Sequence, residues 1–252
     1  MSETKIALVT GGSRGLGKDM ALSLVRKGLD VILTYRSQKE EAGAVVQELE
    51  AAGRRAVALP LDMNNLGSYD GFVQAVANHL SGWNATGIDF LVNNAGIGGT
   101  VPFEKVTEAF FDEFLNVHYK GIFFLTQKLL PHLNEGGGIV NVSTGTTRFV
   151  NPGYSVYASM KGAMEVLTRY WAKELGPKGI RSNIVAPGPV ETDFNNGTIR
   201  SNPQLKERLA ALSPLNRVGR PDDIGGVVAF LCTDEARWVN AQRIEVAGGI
   251  NP

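Results

Sequence analysis

The sequence lacks most of the features that mark secreted, membrane-bound or nucleic-acid-binding proteins. Its 252 residues include one cysteine, Cys232, so no disulfide can form within the chain. The 25 basic and 25 acidic side chains cancel, without a lysine-rich block that would attract nucleic acid or an anionic membrane. No apolar run approaches the ~18 residues of a membrane span. These absences predict a cytoplasmic protein that binds a small molecule, with no nucleic acid or membrane partner.

The cysteine and histidine residues of the sequence indicate neither a reactive thiol nor a metal site. Cys232 ends an apolar run over 227–232, which favours a buried and unreactive thiol. His79 and His132 have no acidic or cysteine partners at metal-ligand spacing. We therefore predict no metal site.

Short β-branched runs alternate with longer amphipathic segments from residue 5 to about residue 246. This alternation predicts an α/β fold with a doubly wound, Rossmann-type parallel sheet and helices on both faces. No repeat or linker divides the chain, so residues 1–252 are predicted to form one domain. The predicted strands are Ile6–Val9, Val31–Thr34, Ala56–Leu59, Phe90–Val92, Ile139–Val142, Arg181–Val185 and Arg243–Val246. The predicted helices lie near 16–27, 38–52, 68–80, 107–133, 156–175 and 222–232, the fourth as one uninterrupted helix.

One irregular segment stands out. Residues 187–214 contain four prolines and two glycines, and the segment is long for a simple connector. Long loops of this kind often carry function. We predict that it forms a lid or substrate loop.

A glycine-rich loop follows the first predicted strand. Gly11, Gly15 and Gly17 open the next helix, where backbone amides and the helix N-terminus can hold a pyrophosphate. The spacing Gly-x-x-x-Gly-x-Gly differs from the commoner Gly-x-Gly-x-x-Gly and indicates a variant of the dinucleotide-binding fold.

The end of the second strand indicates which dinucleotide is bound. An acidic side chain about 20 residues beyond the glycines would favour NAD, but none is present there, since Asp30 precedes the strand. Arg36 can instead bind a 2′-phosphate, with Ser37 and Arg14 nearby. The sequence predicts NADP(H), while NAD(H) use stays open.

Tyr157 and Lys161 are four residues apart, so on a helix their side chains share one face. An unperturbed tyrosine has a pKa near ~10, and a nearby ammonium group is expected to lower the pKa of Tyr157. The pair predicts a proton donor for carbonyl reduction.

With these motifs in place, the whole chain resembles the short-chain dehydrogenase/reductase family, especially its single-domain members of about 250 residues. The matching motifs are the glycine loop after Thr10, Asn93-Asn94-Ala95-Gly96, Ser143, and Tyr157-x-x-x-Lys161. The resemblance implies that Ser143, Tyr157 and Lys161 are catalytic, that Lys161 also binds the nicotinamide ribose, and that the protein is a homotetramer, with the helices near 107–133 and 156–175 at one interface. The implied cofactor-binding set is Gly11, Ser13, Arg14, Gly15, Leu16, Gly17, Tyr35, Arg36, Ser37, Asp62, Met63, Asn94, Ala95, Gly96, Tyr157, Lys161, Pro187, Gly188, Val190 and Thr192.

The chain departs from the family pattern at one catalytic position. The family usually has an asparagine that supports a water in the proton relay, and alignment on Gly121 and Phe123 places His118 there. A histidine could hold the relay water or replace it. Packing by His118, or a shifted alignment that restores Asn116, are the alternatives.

The leading hypothesis is an NADPH-dependent reductase of ketones or aldehydes, acting reversibly. An NAD-preferring alcohol dehydrogenase and a non-catalytic NADP-binding sensor or scaffold are the alternatives. A neutral, moderately hydrophobic carbonyl substrate is expected from the mixed character of the candidate pocket, while Arg148 could recognise an acid and a β-ketoacyl substrate stays open. The candidate substrate-binding residues are Thr144, Thr147, Phe149, Tyr154, Pro189 and Phe194.

Overall fold

Seven short apolar segments pair side by side in one parallel sheet in the computed structural model, which describes residues 4–250 apart from the side chain of Asn196. The strand order is β3-β2-β1-β4-β5-β6-β7, and every neighbouring pair is parallel. The predicted doubly wound, seven-stranded sheet is confirmed. The strands are β1 (Ile6–Val9), β2 (Asp30–Tyr35), β3 (Ala56–Pro60), β4 (Ile88–Asn93), β5 (Leu133–Val142), β6 (Arg181–Pro187) and β7 (Arg243–Val246).

Helices cover both faces of the sheet because the strands bury both of their faces. In β1, Ala7 and Val9 belong to one apolar core with α1, α2 and α9, while Ile6 and Leu8 belong to a second with α3, α5 and α6. This division follows from the two-residue period of a strand. The helices are α1 (Gly15–Arg26), α2 (Lys39–Ala51), α3 (Tyr69–Gly82), α4 (Glu108–Leu115), α5 (Gly121–Leu129), α6 (Ser155–Glu174), α7 (Thr198–Ser201), α8 (Pro203–Ala211) and α9 (Pro221–Leu231).

The strand order reverses between β1 and β4. The chain winds outward from β1 to β3 and then returns to place β4 on the other side of β1. The loops that follow β1 and β4 therefore diverge and leave a crevice at the carboxyl edge of the sheet. Ligands of doubly wound sheets bind at such a reversal.

The predicted continuous helix over 107–133 is wrong. A π-helical turn over Asn116–Lys120 separates α4 from α5, and a 3₁₀ turn over Leu130–His132 then leads directly into β5. The wide π turn interrupts the regular helical ladder, a feature often found at functional sites. Pro131 lacks a backbone N–H and lies in the 3₁₀ turn that follows α5.

The segment 187–214 is partly helical rather than a plain loop. It contains a 3₁₀ turn over Phe194–Gly197, followed by α7 and α8. An ion pair between Lys206 and Glu191, with 2.7 Å between nitrogen and oxygen, ties α8 to the start of the segment.

Two further predictions concern Cys232 and metal binding. The prediction of a buried thiol is confirmed, since Cys232 is fully buried and burial raises its pKa to about 12. Among residues 4–250, no three histidine, cysteine or acidic side chains are grouped so that they could hold a metal ion. Within the same residues, no helix combines the length and apolar character needed to cross a bilayer.

Candidate active site

The glycine loop places the N-terminus of α1 at the crevice between β1 and β4. Gly11 has a φ of +66°, and its N–H donates to Thr34 Oγ1 over 3.0 Å. A Cβ at Gly17 would lie 2.1 Å from the Gly11 carbonyl oxygen, so only glycine allows this close approach. This close approach brings the first amides of α1 to the loop where the sequence predicts that a pyrophosphate binds.

Thr10 and Asn94 join the glycine loop to the loop after β4. Thr10 Oγ1 accepts hydrogen bonds from the N–H groups of Asn94 and Ala95, both over 3.0 Å. Asn94 Nδ2 donates to the carbonyl oxygens of Thr10 and Gly11 over 2.9 and 3.1 Å. Thr10 is absent from the predicted site residues, although it directly precedes the glycines.

The carboxyl end of β2 is basic. Arg14 and Arg36 are exposed, and neither guanidinium has a hydrogen bond or ion pair within the part of the chain described. Asp30 lies at the opposite end of β2, where its carboxylate accepts from Arg55 Nε over 2.6 Å. The residues present thus fit a 2′-phosphate better than a bare ribose, because phosphate is bound by unpaired arginines and repelled by carboxylates.

The neighbouring loop after β3 is held at the same edge. The N–H of Leu61 donates to the Tyr35 carbonyl over 2.8 Å, and Asp62 Oδ1 accepts from the Asn64 N–H over 2.9 Å. The Met63 carbonyl accepts from the Tyr69 hydroxyl over 2.7 Å. These bonds place Asp62 and Met63 beside the end of β2, where the resemblance implies an adenine contact.

The segment after β6 approaches the glycine loop from the other side. The N–H of Gly188 donates to the Val246 carbonyl over 3.0 Å, and Val190 pairs with Gly219. Thr192 is buried, and its Cβ lies 3.7 Å from the position that a Cβ on Gly15 would occupy. The predicted nicotinamide-side residues therefore lie next to the predicted pyrophosphate loop.

Lys161 and Tyr157 lie on α6, at the carboxyl edge of β5. Lys161 is buried, and its Nζ donates to the Val142 carbonyl over 2.7 Å and lies 5.8 Å from the centre of the Tyr157 ring. Burial disfavours the charged form and lowers the pKa of Lys161 to about 8.

The hydroxyl group next to Tyr157 belongs to Thr144, not to Ser143. The Thr144 side chain lies close enough to the Tyr157 phenol to affect its pKa, and Thr144 Oγ1 accepts from the Thr146 N–H over 3.3 Å. Ser143 Oγ instead donates to Glu165 Oε1 over 2.7 Å. The two side chains diverge because successive residues of an extended chain point to opposite sides. Ser143, which the resemblance implies is catalytic, therefore faces Glu165, and its catalytic role stays a prediction.

The pKa of Tyr157 is raised, contrary to the lowering expected from Lys161. Burial is the largest cause, because it disfavours the phenolate. The neighbouring Thr144 side chain lowers the pKa in part, and the nearby Tyr154 raises it further. Tyr157 is therefore a neutral phenol that retains its proton at neutral pH.

His118 lies in the middle of the π turn and is fully buried. Its Nε2 lies 2.9 Å from the Ile97 carbonyl oxygen, and its ring packs edge-on against Tyr157 with 5.1 Å between centroids. Burial, and secondly the charge of Lys161, hold the pKa of His118 well below its usual range, so the imidazole is neutral. The Ile97 N–H also lies 3.3 Å from Nε2, so Nε2 donates to the Ile97 carbonyl in one tautomer and accepts from the Ile97 N–H in the other. Nδ1 has no hydrogen-bond partner among the described residues.

Aromatic rings surround Tyr157. The centroids of Tyr154 and Phe194 lie 6.4 and 6.1 Å from that of Tyr157. Phe114, which the sequence predictions omit, lies at 6.4 Å and stacks on Phe110. Phe110, Phe114 and His118 follow one another at intervals of four residues, and this helical spacing could have revealed that their rings line up beside Tyr157.

The other predicted substrate residues are arranged differently. Thr147 Oγ1 donates to Glu165, and Phe149 lies beneath the Arg148 guanidinium at 4.7 Å. Arg148 itself forms a two-bond pair with the Glu245 carboxylate, at 2.9 and 2.6 Å. Pro189 lines a cavity with Val246 and other apolar residues.

Known proteins with similar sequences cover nearly the whole chain. The family model described as enoyl-(acyl carrier protein) reductase matches residues 11–251. An uncharacterized oxidoreductase of Methylorubrum extorquens is 38% identical over 98% of this chain and 98% of its own length. The short chain dehydrogenase mdpC of Emericella nidulans is 37% identical over 98% and 95%. The hydroxynaphthalene reductase-like protein Arp2 of Metarhizium robertsii is 36% identical over 97% and 94%.

Solved structures show the same similarity together with the cofactor. The angucycline C-6 ketoreductase LanV with bound NADP is 35% identical, has a TM-score of 0.92, and matches over 98% of this chain and 95% of its own. A blue fluorescent protein from a metagenomic library, in complex with NADPH, is 35% identical with a TM-score of 0.89 over 98% of both chains. The chain therefore belongs to the short-chain dehydrogenase/reductase family, and it is an NADP(H)-dependent oxidoreductase.

Proposed function

We propose that this enzyme reduces the carbonyl group of a ketone or aldehyde to an alcohol, reversibly, with Tyr157 as the proton donor. The observation that carries the proposal is the Tyr157 phenol, placed with its ring centre 5.8 Å from Nζ of the buried Lys161 and close to the Thr144 side chain. When bound, NADPH supplies the hydride. Tyr157 holds the proton that the carbonyl oxygen needs, and the Thr144 hydroxyl orients that oxygen. Below pH about 8, Lys161 is charged and favours negative charge developing on the phenol oxygen.

The cofactor contacts are part of the same proposal. Arg36, with Arg14 and Ser37, binds the 2′-phosphate and favours NADPH over NADH. Asp62 faces the adenine, while the Val190 backbone and Thr192 bind the carboxamide. The two unpaired arginines and the absence of an acid at the described carboxyl end of β2 support this assignment.

We further propose a flat, uncharged aromatic or polycyclic carbonyl compound as the substrate. Tyr154 and Phe194 present ring surfaces beside Tyr157, while the buried Phe114 packs against Tyr157 from within the core, and aromatic rings pack well against one another. One relative is named a hydroxynaphthalene reductase-like protein, and a structure of the ketoreductase LanV holds NADP and rabelomycin, which supports this choice. Arg148 gives no support for an acidic substrate, because Glu245 already binds its guanidinium.

The segment 187–214 is the proposed lid of this site. Asn195 Nδ2 donates to the Tyr154 hydroxyl over 3.4 Å, which brings the segment against the aromatic side chains beside Tyr157. The proposal therefore gives Phe194 and Pro189 a place on the lid side of the substrate.

The experiment compares Tyr157→Phe with Tyr170→Phe, an exposed tyrosine on the same helix. Turnover of NADPH is measured on a panel of bicyclic and polycyclic ketones, and NADPH binding is measured separately. Loss of the proton donor should lower kcat by ~10²–10⁴-fold with binding retained, whereas Tyr170→Phe should match the unaltered enzyme. A Tyr157→Phe variant within about fivefold of full activity would contradict the assignment. NADPH binding without turnover by the unaltered protein would favour a sensor or scaffold.

Exchanges at Thr144 test the proposal that its hydroxyl orients the carbonyl oxygen. Thr144→Ser keeps a hydroxyl and should keep most of kcat, while Thr144→Val keeps the shape and should lose most of it. Equal kcat values for the two variants would remove Thr144 from the reaction.

A further inference from the structure

A carboxylate outside the catalytic set holds the loop that carries Thr144. Glu165 Oε1 accepts hydrogen bonds from Ser143 Oγ over 2.7 Å, from Thr147 Oγ1 over 2.8 Å and from Arg243 Nε over 2.9 Å. We name these four residues, Glu165, Ser143, Thr147 and Arg243, the Glu165 clamp. Glu165 lies one helical turn beyond Lys161 on α6, so the clamp and the catalytic pair share one helix.

The clamp is a satisfied polar network in a mostly buried setting. The side chains of Glu165 and Arg243 are 15% and 23% exposed, and Ser143 is buried. Arg243 also binds Glu245 over 2.9 Å, and Glu245 in turn binds Arg148. Hydrogen bonds to an ionised acceptor are stronger than neutral ones, so the two loop hydroxyls are held firmly.

The clamp fixes the direction of Thr144 through backbone geometry. Ser143 still pairs with β6, its N–H donating to the Val185 carbonyl over 2.7 Å, and Thr144 is extended, with φ −159° and ψ 151°. Since successive side chains of an extended chain oppose each other, a Ser143 that faces Glu165 turns Thr144 to the other side. Thr147 fixes the far end of the loop beyond Gly145.

We propose that Glu165 is a positioning residue, which holds the Thr144 hydroxyl toward Tyr157 by binding Ser143 and Thr147 on either side of it. The proposal rests on the proposed function. It predicts an effect on kcat more than on NADPH binding, because the glycine loop and the loop after β4 do not contact the clamp in the hydrogen bonds of the described residues.

The test compares Glu165→Ala and Glu165→Gln with Glu174→Ala, an exposed glutamate on the same helix. Glu165→Ala should lower kcat by about 10- to 100-fold, the scale expected when a reacting group is misplaced by up to ~1 Å, with the KM for NADPH nearly unchanged. Glu165→Gln keeps an acceptor oxygen and should recover most of kcat. Glu174→Ala should behave as the unaltered enzyme, and melting temperatures establish that each variant is folded.

A double-variant comparison separates positioning from general stabilisation. The double variant Ser143→Ala/Thr147→Val should have a lower kcat than the unaltered enzyme. The same two substitutions should lower kcat little further when they are added to Glu165→Ala, because all three remove hydrogen bonds of the same carboxylate. Full additivity, or a folded Glu165→Ala variant whose kcat stays within about twofold of the unaltered enzyme, would overturn the inference. If Tyr157→Phe is inactive in the same assay, either of these outcomes contradicts only the role of the Glu165 clamp and leaves the proposed function standing. If Tyr157→Phe remains active, the proposed function itself fails.

Discussion

Lys161 has a pKa that predicts how reduction depends on pH. Burial lowers this pKa to about 8, so Lys161 is a cation below that pH and neutral above it. The pKa of His118 lies well below its usual range and that of Tyr157 lies above, so neither changes charge near pH 8. We expect kcat/KM for reduction, which reports groups of the free enzyme, to fall as the pH rises through about 8. A profile that stays flat from about pH 7 to about pH 9.5 would contradict this role for Lys161.

Arg36 offers a second prediction at the scale of one residue. Arg36→Asp replaces a phosphate-binding group with an acid that accepts from ribose hydroxyls and repels phosphate. The ratio of kcat/KM for NADPH to that for NADH should therefore fall, by about tenfold or more. Arg54→Asp is a matched control, because Arg54 binds the Gly28 carbonyl at the opposite edge of the sheet. An unchanged ratio would place the 2′-phosphate elsewhere.

Sequence reasoning predicts the Tyr157 and Lys161 pair, but it gives Thr144 only as a candidate substrate residue and not as the hydroxyl beside Tyr157. Ser143 and Thr144 are adjacent and chemically alike, so their composition and spacing cannot select between them. Which of the two hydroxyls lies near Tyr157 depends on which side chains at the end of β5 face α6. Asn141 and Ser143 face α6, where they form hydrogen bonds with Thr168 and Glu165. The direction of the Tyr157 pKa shift was also beyond the sequence, because burial outweighs the lysine charge.

At the scale of elements, the π turn brings the His118 ring to Tyr157. We propose that neutral His118 supports the proton relay, with Nε2–H bound to Ile97 and the Nδ1 lone pair available to a water. His118→Asn can still donate to the Ile97 carbonyl and hold a water, so it should retain much of the activity. His118→Leu can do neither and should lose activity while remaining folded.

The comparison of these two variants decides the role of His118. Equal activity of the asparagine and leucine variants, with matched melting temperatures and unchanged pH profiles, would leave packing or Asn116 as the explanation. Such a result would leave the Tyr157 assignment intact.

The strands and most helices follow from the sequence because burial on both faces of a parallel sheet leaves a strong apolar pattern. The pattern fails between α4 and α5. A π turn leaves apolar residues on both sides of it, so the segment still reads as one helix until Pro131. The short helices α7 and α8 were missed because the prolines and glycines of 187–214 are typical of loops.

At the scale of the whole molecule, α4, α5 and α6 present apolar side chains to solvent. Phe111, Phe124, Val166 and Tyr170 are 41%, 38%, 46% and 61% exposed, which supports the predicted homotetramer with these helices at one interface. We expect a mass near four chains of 27.1 kDa by light scattering. Val166→Asp together with Tyr170→Asp should yield smaller species, whereas Val150→Asp, on an exposed loop, should not. A monomeric unaltered protein would contradict the expectation.

Cys232 provides a reporter for the integrity of the whole fold. The chain has one cysteine, and its thiol is fully buried at the end of α9. A chromogenic thiol reagent can therefore modify only molecules in which this region has opened, and in excess reagent the labelling rate measures how often it opens. A cofactor that binds the closed form should slow the labelling in proportion to its occupancy. The protein thus carries its own probe for cofactor affinity, which can be read with no substrate in hand.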